Sequence, residues 1–299
     1  MKIEKFKKER LQEVVKFLNE TMPYDEITEE SLKEQTIGDM DYDPDLFLVA
    51  GDKRIEGLSL GICRGKEGFS GIKLFAVRED GDWQKAGEAL LENMEKEFIK
   101  REIFKVRIGH CPLKYFQPGI DPRYTAATAI LLKKGYQTEG TGQNMEVDLT
   151  RVNLATREEE RKLSEGGIVV KRLAEEDRPA FMHFLQNWGD TWFYSGMLAY
   201  NNNPVSCHIA LKDGKTLGFA CHSVTSGHYF GPTGVSPKLR GKGIGDVLLK
   251  RCLKDIKDAG EKKAVILSVG PVYFYWKSVG AKIPRLLWRM SKELKGRNV

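Results

Sequence analysis

A loop rich in glycine and basic residues, Arg240 to Gly245 (RGKGIG), stands directly before a segment with helical periodicity. Glycine costs about 1 kcal/mol at a helical position, so three glycines beside a helix start call for a reason. The apolar residues that follow recur at steps of three and four, which predicts a helix beginning near Gly243 to Gly245. They are Ile244, Val247, Leu248, Cys252 and Ile256. Unpaired N–H groups and the positive end of the helix dipole would point into the loop, to which Arg240 and Lys242 add positive charge. Because glycine lets a ligand approach the backbone closely, the loop is predicted to bind phosphate or pyrophosphate.

The spacing of the glycines argues against two common nucleotide-binding motifs. A Walker loop needs GxxxxGK[ST], and neither that spacing nor its Lys-Ser/Thr end is present. A dinucleotide fingerprint needs GxGxxG in an N-terminal βαβ unit, whereas Gly241, Gly243 and Gly245 alternate as GxGxG late in the chain. A tight strand-to-helix turn without a ligand would use the same glycines.

The composition is that of an ordinary globular protein, with 299 residues, 41% hydrophobic and 30% charged. The length suits two domains of about 150 residues. The net charge of +6 fits anionic ligands, but the chain has no dense basic block with interleaved aromatics, so no nucleic-acid partner is expected. No apolar run approaches a membrane span and no secretory signal opens the chain, which favours a cytoplasmic protein without a membrane partner.

The cysteines and histidines indicate a reduced protein without a metal. The five cysteines are odd in number, widely spaced and form no CxxC, so we expect reduced and mostly buried thiols. Neither they nor the five histidines show metal-ligand spacing.

Two halves of the chain follow the same plan. From Val77 the first half reads VREDGDWQKAGEALL, and from Val235 the second reads VSPKLRGKGIGDVLL, in register and without a gap. Each half also predicts a short strand, an amphipathic helix and two strands around a turn, which in the second half is Asp213-Gly214. This predicts a duplicated unit, with domains at 1–150 and 167–299 and a charged segment at 151–166 as a solvated linker or short surface helix.

The two copies differ where the anion would sit. The first has Asp82 in place of Arg240 and Lys85 in place of Gly243. Only the second copy is therefore expected to bind phosphate well, and the first is expected to be a degenerate scaffold.

At these residues the sequence resembles a known family. The stretch from Val235 to Gly245 is similar to the acyl-CoA signature R/Q-x-x-G-x-G/A of the GCN5-related N-acetyltransferases (GNAT). YFGPTGV before the loop, GPVYFYWKSVGA after it, and YFQPGIDPRYTAATAILLKKGY in the first half resemble bacterial members with two tandem domains. The resemblance implies an α/β fold with a mixed sheet in each of two tandem GNAT-like acyl-CoA N-acyltransferase domains, whose fourth and fifth strands splay apart.

The resemblance also implies where acetyl-CoA, the cosubstrate, would bind. Pantetheine would lie in the splay, with its amides on the backbone of Thr233, Gly234 and Val235 and with Leu267 and Ser268 on the other side. The pyrophosphate would rest on the loop formed by Arg240, Gly241, Lys242, Gly243, Ile244 and Gly245.

The implied reaction is direct attack of a primary amine on the acetyl thioester. The tandem-type pattern FYxKxxGA places the tyrosine that protonates the departing thiolate at Tyr275, which would also contact CoA. The commoner family spacing falls on Trp276, and Tyr273 is a further candidate. His228 is the predicted base because imidazole has the right pKa, with His222 and Asp190 as alternatives.

The acceptor site is the least determined. Trp188, Trp192, Phe193 and Tyr194 follow the first helix of the second half, where they would form either a pocket wall or packing between domains. The acceptor is expected to be a small-molecule amine and the chain a monomer or homodimer. The competing hypotheses are a non-catalytic acyl-CoA sensor or regulatory module and a different nucleotide-binding protein.

Overall fold

The computed structural model describes residues 1–64, 70–111 and 113–295, and its helices and strands form two compact units. The first unit contains Met1–Gly142 and Arg285–Val299, and the second contains Gln143–Pro284. Each is built on one mixed sheet, which confirms the predicted α/β class and the two-domain organisation.

The first unit carries a seven-stranded sheet in the order β1-β2-β3-β4-β5-β13-β6. Its strands are β1 (Ile3–Lys5), β2 (Phe47–Ala50), β3 (Gly57–Ile62), β4 (Gly71–Val77), β5 (Lys105–Ile108), β6 (Gln137–Gln143) and β13 (Leu286–Glu293). Its helices are α1 (Leu11–Thr21), α2 (Glu29–Gln35), α3 (Trp83–Lys100) and α4 (Thr125–Lys133). Every residue of the strands β2 to β4 is buried, and all of them except Ser59 and Lys73 are apolar or glycine.

The second unit carries a six-stranded sheet in the order β7-β12-β11-β10-β9-β8. Its strands are β7 (Met145–Asp148), β8 (Val169–Arg172), β9 (Cys207–Lys212), β10 (Lys215–His222), β11 (Tyr229–Val235) and β12 (Lys263–Ile266). Its helices are α5 (Arg157–Glu165), α6 (Arg178–Leu185), α7 (Asp190–Asn201), α8 (Ile244–Asp258) and α9 (Val272–Val279). The predicted hairpin is present, and Asp213 and Gly214 both adopt the positive φ that a two-residue turn of this kind needs.

Two strands lie in different units from those that their sequence positions suggest. The C-terminal strand β13 inserts between β5 and β6 of the first sheet, with Met290 opposite Ile108. Strand β7, which follows β6 directly, pairs instead with β12 of the second sheet, with Met145 opposite Ile266. Each sheet therefore depends on a segment from the far side of the predicted boundary.

The predicted domain limits differ from the observed units for this reason. The boundary predicted at residue 150 would assign β7 to the first domain, and the predicted range 167–299 would assign β13 to the second. The predicted linker contains helix α5, so the surface-helix alternative is the one observed. Helix α5 belongs to the second unit, where Glu159 and Glu160 pair with Lys250 and Arg251 of α8.

The insertion of β13 into the first sheet leads to a prediction for Met290, which is buried in the core of the first unit. Met290→Ala should cost about 2–5 kcal/mol of unfolding free energy, because it leaves a cavity between well-packed elements. Hydrogen exchange should show lost protection in β5, and protection in β11 and β12 should stay as in the wild type. Glu293→Ala, at the exposed end of the same strand, is the control and should change stability by less than about 0.5 kcal/mol. Equal loss of protection in both units would contradict the assignment of β13.

The described residues contain no helix long and apolar enough to cross a membrane. All five cysteines are free thiols, and only Cys63 is partly exposed, as the sequence predicted.

Candidate functional site

The loop between β11 and α8 adopts a backbone that only glycine accepts easily. After Val235 the chain makes one 3₁₀ turn at Pro237–Leu239, and α8 then begins at Ile244. Gly241 and Gly243 have φ of 81° and 85°, the left-handed region that disfavours residues with a Cβ. A Cβ built on either glycine would meet no atom within 4 Å, so the space beside the loop is open.

Helix α8 presents free backbone donors to that open space. Its first hydrogen bond runs from the N–H of Val247 to the C=O of Gly243, at 3.2 Å. The N–H groups of residues 244–246 precede this bond, and no side chain caps the helix start. The carboxylate of Asp246 pairs with Lys250 one turn further on. The helix start therefore offers uncapped donors and the positive end of its dipole to an anion.

Three exposed cations surround these donors. Lys238, Arg240 and Lys242 make no ion pair with any residue that the structure describes. The Arg240 Nε donates to the C=O of Val235 at 3.3 Å, which leaves the rest of its guanidinium free to bind. Uncompensated positive charge beside uncapped N–H groups is an arrangement suited to pyrophosphate.

Strands β11 and β12 pair briefly and then separate. They are parallel and in register only at Tyr229/Val265 and Phe230/Ile266. The last contact between them is a long hydrogen bond, 3.5 Å, from the N–H of Leu267 to the C=O of Phe230. A cleft therefore opens beyond Phe230, as the resemblance implies.

The chain after β12 turns towards β7 instead of continuing beside β11. Ser268 has φ of 46°, and its N–H donates to the side chain of Asn144 at 2.9 Å. The N–H of Val269 then donates to the C=O of Gln143, also at 2.9 Å. These bonds hold the far wall of the cleft apart from β11.

The register of β11 decides which of its peptide groups face the cleft. The N–H of Ser236 donates to the C=O of Leu217, so Gly234 takes the next hydrogen-bonding position opposite Phe219. Thr233 and Val235 then direct their backbone groups to the open side. Of the three residues predicted to bind pantetheine, these two lie on the cleft edge and Gly234 faces β10.

Gly234 matters for a different reason, which the sequence did not reveal. A Cβ on Gly234 would lie 2.8 Å from ring atoms of Trp188, so the indole packs directly on this strand. Trp188 also stacks on Trp192, with ring centroids 5.0 Å apart and planes 9° from parallel. Both rings pack edge-on against Phe219 of β10. Trp188 and Trp192 therefore pack on the sheet of their own unit, whereas Tyr194 is 49% exposed.

Tyr275 is the one aromatic of α9 among the three candidates that faces the interior. It is 6% exposed, whereas Tyr273 and Trp276 are 69% and 59% exposed. Its ring lies 6.1 Å from that of Phe230, the residue at which β11 and β12 part, and 4.9 Å from that of Phe274. Burial raises the pKa of Tyr275 well above the ordinary tyrosine value, so the hydroxyl keeps its proton.

The candidate bases occupy three different settings. His228 is half-buried just before β11, and its C=O accepts from the N–H of Val265 at 3.0 Å. It lies on the paired side of Phe230 and not along the open edge. Asp190 lies at the exposed start of α7.

His222 is engaged in a buried cluster and not in the cleft. Its Nε2 lies 3.1 Å from Asp255 of α8, which also contacts His208 at 2.7 Å and Arg172 at 2.8 Å. Burial opposes the charge of Asp255, but hydrogen bonds from the two histidines outweigh it and lower the pKa of that carboxyl. His222 is therefore held as a structural partner of α8.

The corresponding loop of the first unit lacks these features. Asp82 precedes α3, and Asp80 and Glu56 bind Arg54 in an ion-pair network beside Gly81. A Cβ on Gly81 would lie 2.3 Å from a carboxylate oxygen of Glu56. Acidic groups therefore stand where the second unit places cations.

The cleft of the first unit is also nearly closed. Beyond the short pairing of β4 and β5, the space beside Lys73 is about 30 Å³, which is room for about one water. Lys73 lines this space, with its ammonium bound to Asp39 at 2.7 Å and to the C=O of Gln35. Leu131, in the helix that matches α9, is fully buried and carries no proton donor. The space of about 30 Å³ beside Lys73 is too small for pantetheine.

Alanine is expected to have opposite effects on stability at two glycines near the start of α8. Gly243→Ala should destabilise the protein by about 1–2 kcal/mol, because alanine resists the left-handed backbone, and should weaken acetyl-CoA binding. Gly245→Ala should raise stability by up to about 1 kcal/mol, since it lies in the helix and its Cβ would make an ordinary contact 3.4 Å from Phe274. Denaturant unfolding and calorimetric titration measure both effects. Equal effects of the two variants would contradict the observed loop.

Part of the second unit matches the model of a known protein family. Residues 170–274 match the family model described as "Acetyltransferase (GNAT) family". No curated protein sequence matches the chain.

Among solved structures, the chain is similar to a GCN5-related N-acetyltransferase from Sphaerobacter thermophilus, with a TM-score of 0.74 and 14% identity, covering 100% of this chain and 97% of that one. It is similar to a tandem GNAT protein from the clavulanic acid biosynthesis pathway, with a TM-score of 0.66 and 11% identity over 98% of both chains. It also matches the GCN5-related glucosamine N-acetyltransferase region of a fungal multi-domain GH3 β-N-acetylglucosaminidase, with a TM-score of 0.78 and 16% identity, covering 97% of this chain. The chain spans 38% of the length of that fungal protein.

Proposed function

We propose that this protein transfers the acetyl group of acetyl-CoA to a primary amine, since residues 170–274 match the GNAT acetyltransferase family model. The second unit would carry the working site. The observation that carries the proposal is that β11 runs from Phe230, where it parts from β12 and whose ring lies 6.1 Å from that of the buried Tyr275, to the uncapped and cationic start of α8. A fold likeness alone would not supply both ends of that cleft.

The two ends of the cleft divide the work of binding and chemistry. Uncapped N–H groups at the start of α8, with Arg240 and Lys242, would hold the pyrophosphate. Thr233 and Val235 would offer backbone groups to the pantetheine amides, as one strand pairs with another. The acetyl thioester of the cosubstrate would then lie near Phe230 and Tyr275.

The chemical step needs one proton removed and one supplied. The neutral amine forms the new C–N bond to the thioester carbon, the C–S bond breaks, and the departing thiolate takes a proton from the Tyr275 hydroxyl. Because burial keeps that hydroxyl protonated, the donor is ready at neutral pH. We assign the removal of the amine proton to His228, directly or through water, since it directly precedes β11 and lies two residues before Phe230.

The acceptor site would lie on the side of β11 covered by α6 and α7. The stacked indoles of Trp188 and Trp192 give this side an aromatic wall beside Gly234. The fungal region similar to this chain is named a glucosamine N-acetyltransferase, which makes an amino sugar the first acceptor to test.

The experiment that tests this function follows thiol release from acetyl-CoA with a panel of amines. The panel would include glucosamine, polyamines, amino acids and an aminoglycoside. Thiol release that depends on an amine, with a matching acetylated product by mass spectrometry, supports the proposal. Tight binding of acetyl-CoA without transfer to any amine would favour the alternative, a non-catalytic acyl-CoA sensor or regulatory module.

A further inference from the structure

A series of side-chain contacts joins helix α8 to the turn between β10 and β11. Nε2 of His222 lies 3.1 Å from the carboxylate of Asp255, and Nδ1 of the same ring lies 2.9 Å from Oγ of Ser223. The Ser223 hydroxyl donates to the C=O of Gly227 at 2.6 Å. This network, which we call the Asp255–Gly227 network, therefore ends at the residue directly before His228, the assigned base.

The turn from Ser223 to His228 is closed by backbone hydrogen bonds at its ends. The N–H of Ser223 donates to the C=O of Tyr229 at 2.8 Å, and the N–H of Tyr229 donates to the C=O of Ser226 at 3.0 Å. The C=O of His228 accepts from the N–H of Val265 of β12 at 3.0 Å. Backbone bonds therefore fix the ends of the turn, and the hydroxyl of Ser223 ties its two halves together.

Ser223 adopts a backbone conformation that needs support from its surroundings. Its φ of 53° lies in the left-handed region, which is unfavourable for a residue with a Cβ. Such conformations persist where neighbouring contacts hold them, and they cluster at functional sites. The side chain of Asn202, directly after α7, also donates to the C=O of Ser223 at 3.1 Å. The strained residue is therefore held from α8 through His222 and from the end of α7 through Asn202.

The Asp255–Gly227 network lies at the level of the sheet where β11 and β12 part. His222 pairs with Phe230, whereas Ala220 pairs with Thr233, so β11 carries one extra residue between these two pairs. Such a bulge changes the direction of nearby side chains and is common beside active sites. The cleft opens beyond Phe230, whose ring lies 6.1 Å from that of Tyr275. The network therefore supports the turn that leads into the proposed site of acetyl transfer.

The residue types Ser, His and Asp also occur in hydrolase triads, but the Ser223 hydroxyl is not arranged as a nucleophile. A carbonyl oxygen only accepts hydrogen bonds, so the contact with Gly227 uses the single proton of this hydroxyl. That proton is therefore not shared with the imidazole of His222, as activation of a serine by a base requires. The contacts of the network hold the turn in place and do not perform chemistry.

We propose that His222 and Ser223 are positioning residues, which hold the turn so that His228 is directed at the attacking amine. This inference rests on the proposed function, in which His228 removes the amine proton. The two residues act through the backbone of Gly227. The imidazole of His228 packs edge-on against the ring of Tyr229, with centroids 4.6 Å apart, so its direction follows that of the turn. Displacing a catalytic group by about 1 Å costs up to about 100-fold in rate.

The first test measures acetyl transfer and acetyl-CoA affinity in Ser223→Ala. The substitution removes only the hydroxyl, and kcat with the best amine of the panel should fall about 10- to 100-fold. Affinity for acetyl-CoA by calorimetry should stay within about twofold, because the turn lies outside the phosphate loop. Ser226→Ala is the control in the same turn and should change neither quantity, since Ser226 supplies only its C=O to the described turn.

A second comparison repeats Ser223→Ala in a variant that already lacks the base. His228→Gln should itself lower kcat, and adding Ser223→Ala should cause no further loss, because no base remains to be positioned. His222→Phe, which keeps a ring in the same place, should lower kcat as Ser223→Ala does, and the two losses should not add. Equal loss from Ser223→Ala with and without His228 would indicate a general structural role and would overturn the inference.

Hydrogen exchange of the ligand-free protein tests the same inference without any activity. The amides of Ser223 and Tyr229 should exchange faster in Ser223→Ala than in the wild type, and at the wild-type rate in Ser226→Ala. Unchanged exchange in Ser223→Ala would overturn the inference even in an active enzyme.

The outcomes separate this inference from the proposed function. If the wild type transfers acetyl groups and Ser223→Ala keeps the wild-type kcat, the inference is wrong and the proposed function stands. If His228→Gln keeps full activity, the assigned base and this inference are both wrong, while acetyl transfer stands. If the wild type transfers no acetyl group to any amine, the proposed function and the role of His228 both fail, whatever hydrogen exchange shows.

Discussion

Replacement of Tyr275 by phenylalanine is expected to lower kcat about 100-fold, the usual contribution of a general acid. Affinity for acetyl-CoA should stay within about twofold, because the ring that packs near Phe230 is retained. The reason is that phenylalanine cannot donate a proton to the departing thiolate. Steady-state kinetics with the best amine of the panel and calorimetric titration of acetyl-CoA measure the two effects separately.

Tyr273→Phe is the matched control for this prediction. It removes the same hydroxyl from the same helix, but Tyr273 is exposed, so kcat should not change. An equal loss in both variants would contradict the assignment, as would full activity of Tyr275→Phe.

The pH profile gives a further check on Tyr275. Free tyrosine has a pKa of about 10, and burial raises the pKa of Tyr275 above this. The proton donor therefore stays protonated to higher pH than a free tyrosine, and kcat should not fall between pH 7 and 9 through its loss. An alkaline decline in that range that disappears in Tyr275→Phe would contradict this account.

Arg240→Glu is expected to weaken acetyl-CoA binding by about 30-fold or more. One charged hydrogen bond is worth about 1.5–3 kcal/mol, and glutamate adds repulsion of the pyrophosphate. Stability should change by less than about 0.5 kcal/mol, because Arg240 is exposed and has no ion pair among the described residues. Calorimetric titration and denaturant unfolding measure these two quantities.

Two controls distinguish a direct contact between Arg240 and the ligand from attraction by the net charge of the protein. Lys254→Glu changes the net charge equally, at a site about three helical turns from the loop, and should leave affinity unchanged. The difference in affinity between wild type and Arg240→Glu should shrink as salt increases. Equal weakening by both substitutions would indicate that net charge, and not the loop, attracts the ligand.

The local parts of the site could be predicted from the sequence because their signals are local. The glycines and the apolar periodicity of α8 predicted a helix start near Gly243 to Gly245, and the structure begins α8 at Ile244. Asp213-Gly214 predicted the turn between β9 and β10 for the same reason. Turns and helix starts depend on φ preferences and on neighbouring residues, which a single stretch of sequence contains.

The sheets to which β7 and β13 belong could not be predicted from such local signals. Both strands have ordinary patterns, and nothing in Met145–Asp148 or Leu286–Glu293 specifies which sheet edge will accept their hydrogen bonds. Strand partners are selected by packing across the whole unit, which a pairwise alignment of the two halves does not contain. The predicted boundaries therefore followed sequence order, whereas the units follow strand pairing.

Helical phase and burial decided between candidates that motif spacing left open. The family spacing fell on Trp276 and the tandem pattern on Tyr275, but only Tyr275 faces the core of its unit. His222 was a plausible base by residue type, and its contact with Asp255 of α8 appears only once the strands are folded. Such contacts join residues far apart in the chain, so residue type alone cannot distinguish a base from a structural partner.

The most direct test of the account is a calorimetric count of acetyl-CoA sites on the purified protein. We predict one site per chain, weakened by about 30-fold or more in Arg240→Glu and unchanged in Asp82→Arg, because the space beside Lys73 in the first unit holds about one water. Two sites per chain, or one site that Arg240→Glu leaves unchanged, would contradict the assignment of acetyl-CoA to the loop between β11 and α8.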